Sequence, residues 1–374
     1  MKNLKWAALA LALCVSTFVS AQDEQVYEFT VVKEIDATET KDQCRTGTCW
    51  SFATISFLES EALRLGNGKH DFSEMFNVRV TYPLKAEKYV RYQGKYQFGP
   101  GSLSHDVINA VAEHGIVPES VYKGLNYGLE EHNHAEMDAM LEAMVKAVVE
   151  NKGRRLTNKW EDAVNSVLDV YLGEIPTTFE YSGKIYTPEE FRNAMGIVPE
   201  DYLSFTSFTH HPFYEPFVLE VPDNFSQEPF NNVPLEDLVS IVDNAIEKGF
   251  TVAWDADVSE RGFSFRNGMA IAPEESVSKD QLFKEVVEEV EVTQMLRQVQ
   301  FNNFQTTDDH LMHIVGMALD QDGKEYYIVK NSWGADNPYG GIQYVSKAYF
   351  MLKTVGILVH QDAVPSDVSK EFKR

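Results

Sequence analysis

Cysteine is scarce: three in 374 residues, Cys14, Cys44 and Cys49. That excludes the disulfide framework that holds small exported domains together, so the fold must rest on an apolar core. Positive charge is also short, with 33 Lys+Arg against 57 Asp+Glu, a formal net charge of -24 and no basic cluster. Such a surface repels phosphate backbones and argues against DNA or RNA as a partner. There is no low-complexity tract and no internal repeat. With 44% hydrophobic and 12% aromatic residues, disorder is excluded for most of the chain, and the length suits one large domain or two smaller ones. Metal-binding spacings are missing too. His132 and His134 stand with one residue between them and no Cys pair or His-Glu-x-x-His nearby, and the 320–325 turn lacks the alternating oxygen ligands of a calcium loop. No metal and no cofactor are expected.

Long hydrophobic runs are confined to the N-terminus. Lys2 and Lys5 precede an apolar stretch over 6–19, which ends in Val19-Ser20-Ala21. This reads as a signal peptide over 1–21, cleaved after Ala21. The stretch is shorter than the roughly 20 residues that span a bilayer, so an uncleaved anchor is the weaker reading. Lipidation at Cys14 is disfavoured by Leu13, where a small side chain is wanted. The expectation is an exported protein, periplasmic or secreted, with no stable membrane insertion after signal removal. Loss of two lysines with the signal takes the charge of -24 to -26.

Cleavage leaves two thiols, in Asp42-Gln43-Cys44-Arg45-Thr46-Gly47-Thr48-Cys49-Trp50-Ser51-Phe52. From here Trp50, Ala53, Phe57 and Ile55, Leu58, Ala62, Leu65 follow at helical spacing, with Gly66 placed to cap the end. Cys49 therefore stands at the N-terminus of a largely buried helix. Free N–H groups and the helix dipole favour an anion there, and a neighbouring histidine would lower the thiol from about 8.5 to roughly 3.5–7.5. That position suits a nucleophile, although a structural thiol also occurs at helix starts. Near the C-terminus, residues 308–319 read as a strand, 320–325 as a turn with Asp322-Gly323 at its tightest point, and 326–334 as a returning strand that runs into Asn331-Ser332-Trp333-Gly334. The register is not fixed by sequence; symmetric pairing leaves His310 and Asn331 offset by several residues, an offset that a bulge would change. His310 and His313 are an odd number of positions apart and point to opposite faces of the strand.

Gln43, five residues and then Cys49-Trp50-Ser51-Phe52, together with Asn331-Ser332-Trp333-Gly334, resembles the papain-like cysteine peptidases. Gly101-Ser102-Leu103 with the helix up to Gly115, the segment 71–76, and the lack of room for a propeptide between Ala21 and Gln43 are similar to the bleomycin hydrolase and aminopeptidase C branch. The resemblance implies an α+β fold of two lobes, helical and antiparallel β, over 22–374. A mostly helical insertion is expected at about 129–230. It implies Cys49 as nucleophile, His310 (six residues before Gly316, preferred over His313) as base, and Asn331 as the group orienting the imidazole. Gln43 and the Cys49 N–H become oxyanion donors, Gly101, Ser102 and Trp333 line the substrate, and Trp333 shields the His310–Asn331 bond.

Other elements are read from pattern alone. An apolar stripe of Met137, Met140, Leu141, Met144, Val145 and Val148 predicts a helix, as does 160–171. Residues 203–234, with His210-His211-Pro212, read as an ordered surface loop. Leu235, Leu238, Val239, Val242, Ala245 and Ile246 form a helix ended by Gly249, and 251–258 a buried strand.

Three departures limit the resemblance. Ser102 stands where the branch has a second glycine, and Thr46 where papain has a cysteine. In the branch a C-terminal arm lies in the cleft and its carboxylate receives the substrate's free amino group; here only residues 365–374 follow the last strand. The expected activity is hydrolysis of peptide substrates with release of N-terminal residues. A papain-like endopeptidase with an open cleft is the alternative. A transglutaminase-like acyl transferase conflicts with the Asn-Ser-Trp-Gly motif, and a silent binding protein would be expected to lack one of the four site residues. A homo-oligomer is left unassigned.

Overall fold

The computed structural model describes residues 26–153 and 155–372; the signal-peptide reading of 1–21, with Cys14, lies outside them. After β1 (Thr30–Glu34) come five helices: α1 (Cys49–Arg64), α2 (Glu74–Arg91), α3 (Ser104–His114), α4 (Ala135–Val149) and α5 (Lys159–Leu172). The two apolar rows of α1 leave it buried on nearly every side from Cys49 to Ala62, and the chain leaves it through Gly66 at φ +80°. α2 is capped by Ser73, whose hydroxyl accepts the Phe76 N–H. In α4 the stripe is narrower than its methionines predict: Met137, Leu141 and Val145 are buried, while Met140 is exposed.

The expectation of a mostly helical 129–230 is corrected beyond Leu172. A small hairpin follows, β2 (Phe179–Tyr181) with β3 (Lys184–Tyr186), then α6 (Pro188–Ala194), closed by a Thr187–Glu190 capping box. Then β4 (Tyr202–Thr206), β5 (Pro216–Val218) and β6 (Pro229–Asn232) join the main sheet. Prolines and aromatics made 203–234 read as loop. Tertiary pairing with a neighbouring strand overrides that local signal.

The rest builds the sheet and its second cover: α7 (Leu235–Lys248), β7 (Val252–Ala256), β8 (Phe263–Ser264), β9 (Met269–Ala270), α8 (Gln294–Asn302), β10 (His310–Leu319), β11 (Glu325–Lys330), β12 (Ile342–Ser346), α9 (Lys347–Lys353), β13 (Thr354–His360) and α10 (Ser366–Glu371). The strand order is β5-β6-β4-β13-β7-β10-β11-β12-β9-β8, with β1 on the second half of β10. Most pairs are antiparallel, as expected for the β lobe. Side chains alternate across the sheet. Ala253, Leu311 and Leu358 join the core of the helical lobe, whereas Trp254, Met312 and Ile357 join a second core with α7, α9 and α10.

Two details position the site. The β10–β11 hairpin pairs His313 with Lys330 and Ile314 with Val329, then slips by one so that Gly316 meets Ile328. This bulge changes the offset of His310 and Asn331. The turn closes through Asp320, whose Oδ1 accepts the N–H groups of Asp322 and Lys324, both at 2.9 Å. The C-terminal segment belongs to the second core: Phe372 packs edge-on against Phe205 and Tyr214. Through Phe372, it does not join the core that holds Cys49. No helix among the described residues is long and apolar enough to cross a membrane.

Candidate active site

Cys49 opens α1 where the helical lobe meets β10, buried and in no disulfide. The helix start is held by the Trp50 indole, which donates to the Pro100 carbonyl at 2.9 Å. Gly47 lies so close to that proline that a Cβ would come within 2.5 Å of its ring. The Cys49 thiol lies against the Leu311 backbone N–H, one residue beyond His310.

On the β lobe, His310 Nε2 and Asn331 Oδ1 are 2.8 Å apart. The amide orientation is fixed independently: Asn331 Oδ1 also accepts the Ser332 N–H at 2.6 Å, and Nδ2 donates to Gln343 Oε1 at 2.6 Å. With Oδ1 as the acceptor, His310 carries its proton on Nε2 and keeps Nδ1 as the basic nitrogen. Trp333 stacks on the imidazole at 4.5 Å, and Phe263 and Phe265 present their edges to the indole. His313 lies elsewhere: fully buried, with Nδ1 at 2.8 Å from Ser56 Oγ on α1.

Gln43 ties the two lobes together. Its Oε1 accepts the Ser332 hydroxyl at 2.7 Å, and its backbone N–H donates to the Ser332 carbonyl at 2.8 Å. Nε2 donates to the Thr46 carbonyl at 2.9 Å, which leaves one amide proton for another acceptor. The structure thus brings Cys49, His310, Asn331, Gln43 and Trp333 to one seam. Gly101 follows Pro100 on the same side. Ser102 is spent locally, its hydroxyl donating to Asp106 at 2.6 Å beside the Leu103 N–H, where the carboxylate caps α3.

The charge state differs from the expectation. Burial, joined by the charges of Asp255, Asp223 and Asp308, pushes the Cys49 thiol up to about 12 although the Leu311 N–H opposes it. Burial takes His310 down to about 4, against the Asn331 bond and the Asp309 charge. A helix terminus is worth at most about 2 kcal/mol, whereas full burial shifts an ionisable group by up to about 3–5 units. Burial wins, and the resting site holds a neutral thiol and a neutral imidazole. No hydrogen bond joins them at rest; such bonds commonly tighten with substrate.

Gln343 was not foreseen. It is fully buried and holds the amide that holds His310. Its only signal is a polar residue in a short, mostly apolar strand. Gln343→Leu should lower kcat by about 10- to 100-fold by loosening Asn331, with KM little changed. Steady-state kinetics on one peptide substrate checks the split.

Among the described residues one trio has the donor set for a metal, His210, His211 and Glu220, with ligand atoms within 4.8 Å of one another. Each imidazole Nε2 already meets a Glu220 oxygen, at 3.0 and 2.9 Å. Hydrogen bonding accounts for the cluster.

A thiol at the start of a buried helix, facing a sheet that carries an Asn-held histidine under a tryptophan, defines a papain-like cysteine peptidase. The chain belongs to the Peptidase C1-like family, whose sequence profile matches residues 100–374. It is similar to aminopeptidase C of Lactobacillus delbrueckii subsp. lactis, 22% identical over 398 residues, spanning 94% of this chain and 86% of that protein. Aminopeptidase C of Lactobacillus helveticus is 22% identical over 391 residues, spanning 91% and 83%. The solved structure of PepW from Lactobacillus rhamnosis superposes with a TM-score of 0.73 at 17% identity, covering 92% of this chain and 84% of that one. The fold is therefore papain-like α+β, and the protein is a cysteine-type peptidase of the aminopeptidase C branch.

Proposed function

We propose that the protein is an exported aminopeptidase that removes N-terminal residues from peptides by thiolate attack. The observation that carries the chemistry is His310, locked by Asn331 with Nδ1 free as a base. Cys49 attacks the scissile carbonyl as its proton passes to His310 Nδ1. The oxyanion is met by the spare Gln43 N–H and the Cys49 backbone N–H. The proton then passes to the departing amine, and water, deprotonated by the same imidazole, hydrolyses the thioester and restores the thiol. Similarity to two aminopeptidases C supports the exopeptidase mode. Products of a ten-residue peptide, free and N-acetylated, read by mass spectrometry, test it. Stepwise loss of single residues from the free peptide is expected; equal internal cleavage of both forms would make it an endopeptidase. That second reading is favoured by the packing of the C-terminal segment on Phe205 and Tyr214, out of the core that holds Cys49.

Export rests on the pattern of residues 1–21. Expression of the full chain in a host with a secretory pathway should yield mature protein beginning at Gln22. Protein retained in the cytoplasm with Met1 intact would overturn export.

A further inference from the structure

We propose that Asp223, Asp255 and Asp308 together form the receiving site for the substrate's free α-ammonium group. The proposal rests on the aminopeptidase reading above and deepens it.

Three separate parts of the chain supply these carboxyls. Asp255 lies on β7 opposite Leu311, and the alternation that sends Trp254 into the second core turns Asp255 toward the helical lobe. Asp308 is two residues before His310; its carboxyl accepts the Asp223 backbone N–H and shares a hydrogen bond with Asp255 when one of the pair is protonated. Asp223 lies on a strap between β5 and β6. The strap is tied down by Asn224, which donates to the Leu219 and Glu228 carbonyls, and by the Tyr96 hydroxyl on the Asn224 carbonyl. Asp223 Oδ1 accepts from Gln97 at 3.0 Å, and its carboxylate presses so near Gly101 that a Cβ there would lie 1.8 Å from Oδ2. Asp255 sits opposite Leu311, whose backbone N–H meets the Cys49 thiol, and the charges of all three carboxyls oppose ionisation of that thiol.

The cluster also lacks a partner outside itself. Asp255 is 4% exposed, and apart from a proton shared with Asp308 neither of its oxygens meets a donor. A buried carboxyl with no donor is costly unless something supplies one. Lys85 does not suffice. Its ammonium donates to the Gly101 carbonyl, and it answers to Asp223, Asp106, Asp138 and Asp308 together. Burial, and after it the charges of Asp308 and Asp223, push the Asp255 carboxyl well above the usual carboxylate range.

Geometry points to an α-ammonium rather than a basic side chain. An ammonium brings three donors to the three carboxyls. When the first residue's carbonyl is under attack, its α-nitrogen is two bonds away, about 2.5 Å from the carbonyl carbon. An exopeptidase that removes one residue must therefore meet that charge next to its nucleophile, where these carboxyls lie.

The test compares kcat/KM for a leucyl coumarylamide and its N-acetyl form in the full-length enzyme and in Asp223→Asn, Asp255→Asn and Asp308→Asn. Titration with an epoxide thiol inhibitor normalises each to its competent sites. The wild type should prefer the free amine, and that preference should fall by about tenfold or more in the variants, as expected when a buried ion pair loses one partner. Preference retained within about twofold in Asp223→Asn and Asp308→Asn would overturn the cluster while leaving the aminopeptidase reading intact. Asp223→Asn lies on a surface strap and keeps the test valid should Asp255→Asn fail to fold. A wild type with no preference would overturn both.

Discussion

Cys49→Ala should reduce peptide hydrolysis by on the order of 10⁴- to 10⁶-fold, the loss seen when a nucleophile that works as one unit with its base is deleted. No second thiol stands in reserve. Cys44, the other cysteine outside 1–21, has its sulfur 3.5 Å from the Asp42 carbonyl and sits beyond the Gln43 turn. The fold should survive, because the substitution removes one sulfur at a helix start whose anchors are Trp50 on Pro100 and the Thr48 carbonyl accepting from Ser51 and Phe52. Circular dichroism and melting temperature should therefore match the wild type while peptide turnover and thiol labelling are lost. Hydrolysis that persists in a folded Cys49→Ala protein would sink the assignment.

His310→Ala should cost about 10³-fold in kcat, within the range of general acid–base catalysis. His313→Ala should act on stability, by about 1–3 kcal/mol, since it leaves a cavity and takes the imidazole partner from the buried Ser56 hydroxyl, which also accepts from Lys330. Urea unfolding and single-turnover rates on the same two proteins separate these effects. The pH profile gives a sharper reading. The base works only as neutral imidazole, and burial holds His310 neutral down to about 4. Thus kcat/KM should rise with pH through about 4 and be on its plateau well before 6.5, the ordinary histidine value. Because the Asn331 bond raises the imidazole's affinity for its proton, Asn331→Ala should move that limb to lower pH as well as lower the plateau. A limb near 6.5 would contradict the burial account.

The site was legible in the sequence wherever the chemistry has a local signature. Helix spacing from Trp50 to Leu65 located α1 and its first residue, and hairpin arithmetic around Asp322-Gly323 left room for a bulge without fixing the register, which the structure sets with a slip between Ile314 and Gly316. Strand alternation sends His310 and His313 to opposite faces, and the spacing of His310 six residues before Gly316, matching the family's His segment, chose between them. What escaped was set by residues distant in sequence. Gln343 is meaningful only once β12 lies beside β11, and a glutamine in IQYVS carries no label. Asp255 did carry a signal, an acid within an otherwise buried strand, but its company of Asp308 and Asp223 comes from sheet pairing and from the strap. The same pairing set three short strands, β4, β5 and β6, within 202–232, where prolines and aromatics had spoken for loop. The direction of the Cys49 shift also needed the fold. A helix N-terminus is visible in sequence, whereas the depth of burial that outweighs it is not.

In the proposed reaction Cys49 becomes acylated by the single N-terminal residue of a peptide. Rapid acid quench of the enzyme with an excess of a free-amino peptide ester, followed by digestion and mass spectrometry of the fragment bearing Cys49, measures this directly. The predicted result is a fragment heavier by one aminoacyl residue, absent when the substrate is N-acetylated. A multi-residue acyl group on Cys49, or an adduct on any other residue, would contradict it.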